Sequence, residues 1–398
     1  MRRLLAFALL LVAAPAAAEM HMNHGGNGAC AGIALACAAT ATPVVAPDGS
    51  LYAAWATADH VAVARSRDNG RSFSEPVAVN PEGAKIDPGP DARPSIAIGA
   101  DGKIFVAYTV FAGTGYIGRV YIAHSQDGGL TFAPPQPITD DTASQRFTRL
   151  IFDKAGTLFA VWIDKREVAA ARAAGKAYPG AALAVATWDG TGFTPARIAQ
   201  SDSCECCRVA AALDTAGHPV VAFRNVFDAT VRDHAVVRFD GKGRPGPIHR
   251  VSIDDWRTDV CPHQGPDIAV GPDGAYHVAW FTQGKARQGL FYARSTDAGV
   301  GFSAPMPIGD PDKAPSRPRV LAVGKTVWLA WKEFDGKVST VRARHSPDGG
   351  KRWDTPVTIA ETKNASDQPM LLAEGGRAYL SWLTHDEGYR LIALEEKP

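Results

Sequence analysis

The chain has 398 residues, and 42 Lys and Arg face 41 Asp and Glu, for a formal net charge of +1. That balance gives no electrostatic ground for a nucleic-acid partner or an anionic membrane surface, and the length is ample for a large core. No apolar run is long enough to span a bilayer.

Residues 1–18 read as a secretory signal peptide. Arg2 and Arg3 precede an apolar run from Leu4 to Val12, and Ala16-Ala17-Ala18 supplies a small-residue cleavage site. The expected protein is periplasmic or secreted, with no transmembrane segment after cleavage. Its six cysteines would then meet an oxidising compartment, which favours disulfides. Residues 19–40 form a Met- and His-containing tail and a candidate ring-closing segment. Cleavage after Ala18 would expose Glu19-Met20-His21-Met22. A histidine third from a free amine can bind Cu(II) or Ni(II) in a square plane, and the thioethers of Met20 and Met22 suit Cu(I). The alternative is a disordered polar tail. Cys30 and Cys37 flank Ala31 to Ala36, either as a strand with its cysteines paired elsewhere or as a self-bridged loop.

From residue 41 to the end one pattern recurs. In Val270 to Thr282 a strand ends, Pro272-Asp273-Gly274 makes a tight turn, and a second strand carries Trp280 six residues past the glycine. An aromatic stands in that register at Trp55, Tyr108, Trp162, Phe223, Trp280, Trp331 and Trp382, at intervals of 53, 54, 61, 57, 51 and 51 residues. Seven copies of one β unit at this period predict an all-β ring of small sheets: a β-propeller of four-stranded antiparallel blades, seven preferred and six as the alternative. The seventh unit ends after its third strand, so the N-terminal segment is a candidate for its missing outer strand.

A second motif, Ser-x-Asp-x-Gly-x-x-aromatic, begins at Ser66, Ser125, Ser295 and Ser346, with a degenerate copy through Asp189, Gly190 and Phe193. It has the chemistry of a hairpin turn: Asp accepts backbone N–H bonds, Gly takes the strained position and the aromatic tucks the turn against the sheet. These are Asp boxes, and the chain resembles the sialidase-like (BNR-repeat) propeller superfamily from about residue 42 onward. The resemblance implies a fold, because the boxes are structural and name no substrate. Sialidases use three arginines on the substrate carboxylate, a Tyr nucleophile paired with Glu, and an Asp acid/base. Tyr116, Glu333 and Asp164 fall in loops that would suit such roles. However, Ala41-Thr42-Pro43 stands where the family has an Arg-Ile-Pro-type signature, and seven units replace six. No catalytic residue is therefore carried over. Cys-x-Cys-Cys and Cys-Pro-His segments of the kind described below resemble an uncharacterised exported branch of this superfamily.

Antiparallel alternation puts the first turns and the Asp boxes on one face of the disc. The second loops and the blade-to-blade connectors share the other face, where function is expected to concentrate. The connectors carry Arg93, Arg146, Arg149, Arg208, Arg317 and Arg319 near the central channel. Several guanidinium groups around one cavity suit a carboxylate, unless each pairs with a local Asp such as Asp91 or Asp153. The second loops add Asp164 and Glu333, and the long Ala-rich loop from Asp164 to Ala182 is expected to be partly helical. Ser203-Cys204-Glu205-Cys206-Cys207-Arg208 and Asp259-Val260-Cys261-Pro262-His263 are connectors of adjacent blades. They would bring Cys204, Cys206, Cys207, Cys261 and His263 together, as disulfides locking the blades, as a soft-metal site for copper or zinc, or as a redox-labile mixture of both. The leading expectation is a binding protein for a small anionic ligand, an acidic sugar or a metal ion, with copper handling as one role. The alternatives are an exo-sialidase or related glycoside hydrolase, and a cell-envelope scaffold with purely structural cysteines.

Overall fold

The computed structural model describes residues 32–113, 117–177, 180–258, 262–396. Seven antiparallel sheets follow one another along the chain, six with four strands and the last with three. The first is built from Thr40–Val45, Leu51–Ala56, Val61–Ser66 and Val77–Ala78. In six blades the strands pair in sequence order from the axis outward, and the blade containing Trp162 has the same connectivity. This is the seven-bladed propeller, and the six-bladed alternative is discarded.

The recurrent aromatic is the reason each blade stays packed. Trp55, Tyr108, Trp162, Phe223, Trp280, Trp331 and Trp382 are all at most 3% exposed. They sit among separate apolar clusters, most of which join neighbouring sheets, as Trp280 does with Val220, Val236 and Ile268. Burying one such ring contributes about 2–3 kcal/mol. The four full Asp boxes share one geometry. Ser66 Oγ donates to Asp68 Oδ1 at 2.8 Å and accepts from the Gly70 amide at 2.8 Å, while Asp68 Oδ1 accepts from the Ser72 amide at 2.9 Å. The corresponding serine-to-aspartate bonds at Ser125, Ser295 and Ser346 are 2.7, 2.7 and 2.9 Å. The Gly349 amide of one box donates to Lys325 O in its own blade's first turn, so boxes and first turns do share a face.

Closure is made by side chains and a short coil. Arg93 forks onto Asp367 and donates to Ala41 O at 3.1 Å, tying the first two blades to the last. Leu35–Cys37 forms a 3-10 turn, packs against Gly388–Ala393 and caps the seventh blade without adding a strand among the described residues. Ile33 O accepts the Trp55 indole N–H at 3.0 Å. Cys37 is disulfide-bonded. The Ala-rich loop contains the helix Arg166–Ala173, which buries Val168. No helix among the described residues is long and apolar enough to cross a membrane.

Candidate functional site

Innermost strands supply the wall of the central channel, and their register decides which side chains reach it. The residue paired with the position before each recurrent aromatic is Thr42, Ser95, Arg149, Ala210, Asp267, Arg319 or Met370. All seven line a channel cavity of about 310 Å3. Two residues earlier in the chain, nearer the loop face, stand Arg93, Arg208, Gly265, Arg317 and Gln368. Bulges aim the arginines in two blades. Register shifts occur between Ser316 and Arg319 and between Val161 and Ile163, and Arg317 and Phe147 take φ of 58° and 61° there. Bulges commonly re-aim a side chain in this way, and a non-glycine residue in that region costs about 1–3 kcal/mol.

The upper tier is a hydrogen-bonded layer centred on Asp91. Its carboxylate accepts from Gln368 Nε2 at 2.9 Å, Arg208 NH1 at 3.1 Å and Arg317 NH1 at 3.4 Å. Gln368 Oε1 in turn accepts from Arg319 NH2 at 3.2 Å. Burial by itself would raise the Asp91 pKa, but Arg317 and Arg208 outweigh it and hold it below the ordinary carboxylate range. Arg146 lies outside this layer, on Asp87 at 2.6 Å. Arg319 reaches Asp267 only at 4.0 Å, and the buried Arg149 guanidinium feels the charges of Asp267 and Arg93. Burial lowers the pKa of both. Five guanidinium groups (Arg93, Arg149, Arg208, Arg317, Arg319) therefore face three carboxylates (Asp91, Asp267, Asp367), leaving a local surplus of positive charge.

Above this floor lies a cleft of about 1180 Å3 on the loop face. Arg317, Asp367 and Gln368 form part of its base, Gln264, Gln288 and Asn364 add amides, and residues 35–39 form one side. Lys332 also lines it, donating to Ser366 Oγ at 2.6 Å. Burial lowers its pKa to about 8.

Two carboxylates expected to face ligand are committed within their own blades. Asp164 is fully buried, accepts the Trp162 indole N–H at 2.9 Å and is forked by Arg166. Glu333 accepts the Trp331 indole N–H at 2.7 Å and the Asp310 amide at 3.0 Å. Neither lines the cleft or the channel. A buried indole N–H requires an acceptor, and the carboxylate two residues along the same strand face supplies it. Lys332, beside Glu333 among the second-loop charges expected on the loop face, does line the cleft, whereas nothing in the sequence marks Gln368 as a channel or cleft residue.

The cysteine-rich connector forms a compact cluster. Cys204 Sγ lies 3.5 Å from Cys206 Sγ and 3.7 Å from Cys207 Sγ, and all three residues are at most 3% exposed. Arg232 NH1 donates to Cys204 Sγ at 3.5 Å. Donation from the Cys206 and Cys207 thiols, aided by Arg224 and Arg232, holds Cys204 well below the usual thiol range. The Cys204 sulfur and burial push Cys207 up to about 12. The next connector runs alongside: Thr258 O accepts from Arg232 Nε at 2.6 Å, and Gly265 packs so tightly on Arg208 that an added Cβ would sit 2.3 Å from its carbonyl oxygen. His263 is exposed and stands apart from the sulfurs, its carbonyl accepting from Arg317. Cys261, Tyr116, Met20, His21 and Met22 lie outside the described residues.

No family model matches the chain, and no curated protein matches it. Among solved structures it is similar to a polysaccharide lyase PL25 ulvan lyase bound to -[GlcA(1-4)Rha3S]-, with a TM-score of 0.56, 11% identity, and coverage of 87% of this chain and 90% of that one. The polysaccharide lyase Uly1 aligns with a TM-score of 0.53 at 11% identity, covering 86% of each chain. A sialidase, Hadza microbial Hz136, aligns with a TM-score of 0.47 at 14% identity over 89% of this chain and 65% of its own. At these identities the likeness establishes the propeller fold and nothing finer.

Proposed function

We propose that the protein is an exported binding protein for an acidic saccharide or a related small carboxylate, held in the cleft over the channel mouth. The observation that carries this reading is that Arg317 and Lys332 line the cleft, next to a buried channel layer in which five guanidinium groups meet three carboxylates. A cleft of about 1180 Å3 exceeds the usual small-molecule pocket and accommodates several sugar rings. Arg317 presents a planar fork that suits a carboxylate, and the lining amides suit hydroxyl groups. A propeller solved with a glucuronate-containing saccharide bound shows that this fold can hold such a ligand. Cleavage of such a sugar is the second reading, favoured by Lys332, whose pKa of about 8 lets it exchange a proton near neutrality.

Calorimetry with uronate- or sialate-bearing oligosaccharides against neutral ones of equal length tests the reading. The acidic ligands should bind in a salt-sensitive manner, and Arg317→Ala and Lys332→Ala should each weaken binding by about tenfold or more. Equal affinity for neutral and acidic sugars, or wild-type affinity in both variants, overturns it. A fluorogenic sialoside and an ultraviolet assay for unsaturated products on the same samples separate binding from hydrolysis and elimination.

A further inference from the structure

The three-cysteine cluster is independent of the cleft and has a chemistry of its own. Its sulfurs stand 3.5 and 3.7 Å apart for two of the three pairs, and all lie within 4.8 Å of one another. A cation bonded at about 2.3 Å to each sulfur would hold them about 3.8 Å apart in tetrahedral geometry and about 4.0 Å apart in a trigonal plane. Shifts of about an ångström or less therefore convert this cluster into a metal tripod. The sulfurs come from one four-residue turn, so the backbone already fixes their spacing.

We infer that Cys204, Cys206 and Cys207 form a binding site for one Cu(I) ion. Softness is the first argument: three sulfurs and no oxygen or nitrogen ligand are grouped there among the described residues, which suits Cu(I). Coordination number is the second. Among the described residues three sulfurs are grouped, where structural Zn(II) takes four ligands, and of the other described donors nearby His263 is exposed and Glu205 pairs with Lys165 at 2.6 Å. Charge is the third. Three thiolates and a monovalent ion leave two negative charges, and the Arg232 guanidinium lies on Cys204 Sγ at 3.5 Å. Binding releases to solvent whatever thiol protons the three cysteines still carry and needs no electron transfer when copper arrives as Cu(I). A buried site of this kind suits retention of copper rather than rapid turnover.

The test uses the whole exported chain, reduced and then handled without oxygen, titrated with Cu(I) against a chromophoric Cu(I) chelator and separately with Zn(II). One Cu(I) per chain should be retained, with sulfur-to-copper charge-transfer absorption and an X-ray absorption spectrum counting three sulfurs. That spectrum needs no variant and so does not depend on whether a substituted chain folds. Cys204→Ser and Cys207→Ser should each weaken retention by more than about 100-fold, beyond the loss of an outer-shell partner. His263→Ala, and joint alanine substitution of Met20, His21 and Met22, should leave the sulfur signal unchanged. Failure to withhold copper from the chelator overturns the inference. So does copper held equally by the cysteine variants, a disulfide among the three residues in the native protein, or preferential retention of Zn(II).

Discussion

Replacing Asp91 by Ala is the sharpest probe of the channel layer. The Asp91 side chain is 3% exposed and its carboxylate receives donors from Arg208, Arg317 and Gln368. The change leaves two buried guanidinium groups without their shared counter-charge, and breaking a buried pair in this way costs about 3–5 kcal/mol. With about 2.1 cal/mol/K of unfolding entropy per residue, a ring of this size has ΔS near 0.75 kcal/mol/K, so the melting temperature should fall by about 4–7 °C. Asp101→Ala, which removes an exposed pair with Lys103 at 3.0 Å, is the control and should shift it by no more than about 1 °C. The freed guanidinium groups should then take an anion from solution, so sulfate should raise the melting temperature of Asp91→Ala more than that of the wild type. The pH dependence has a definite sign. The folded pKa of Asp91 is depressed, so its stabilisation is full above the unfolded value near 4 and is lost as pH falls through the folded value. Asp91→Asn should flatten that acid-side loss. Scanning calorimetry at several pH values and sulfate concentrations reads all three. A melting temperature within 1 °C of wild type, with no sulfate response, would refute the claim that Asp91 neutralises the layer.

Three further outcomes follow from the same geometry. Glu333→Ala strips the Trp331 indole and the Asp310 amide of their acceptor and should cost about 2 kcal/mol in chemical denaturation without altering acidic-ligand affinity; a change in affinity alone would place Glu333 in the site after all. Anion affinity should fall as pH rises through about 8, where Lys332 loses its proton, and Lys332→Arg should abolish the dependence; a flat titration from pH 6.5 to 9.5 would separate Lys332 from binding. In the Asp boxes, hydrogen bonds led by the Ser72 hydroxyl lower Asp68 to about 2, so its contribution is present above pH about 4 and fades toward pH 2; Asp68→Asn should remove that slope from an acid-unfolding curve.

The ring itself was legible because its determinants are local and repeated. An Asp-Gly turn, an aromatic beyond it and an Asp box each state their geometry within about ten residues, and seven copies of the aromatic with four full Asp boxes leave little freedom in the period. The period placed the connectors at the channel, where five of the six expected arginines gather while Arg146 pairs with Asp87 instead. What the sequence did not reveal is how those arginines divide among carboxylates. Asp91 and Gln368 are 277 positions apart yet directly bonded, and nothing local specifies such a pair. The bulges that aim Arg317 and the backbone at Phe147 were equally invisible, because each is one extra residue in a strand whose partner has no matching signal.

The misplaced carboxylates reveal a rule that the sequence did contain. A tryptophan at the centre of a two-sided sheet is buried on both faces, but its indole N–H still requires an acceptor. Along a strand, residues i and i+2 share a face, and the strand that carries the aromatic ends just beyond it at the loop face. A carboxylate at i+2 is therefore placed to accept the indole while still adjoining the loop, as in Trp162-x-Asp164 and Trp331-x-Glu333. Where position i+2 offers no carboxylate, the acceptor comes from elsewhere: Asp254 for Trp280, Asp367 O for Trp382 and Ile33 O for Trp55. The last two belong to ring closure, so two of the three tryptophans that lack their own acid hold the seam of the ring. Asp367 combines both tasks, binding the Trp382 indole through its carbonyl and Arg93 through its carboxylate. The same residue forms part of the cleft base, so closure of the ring and the shape of the proposed site depend on one side chain.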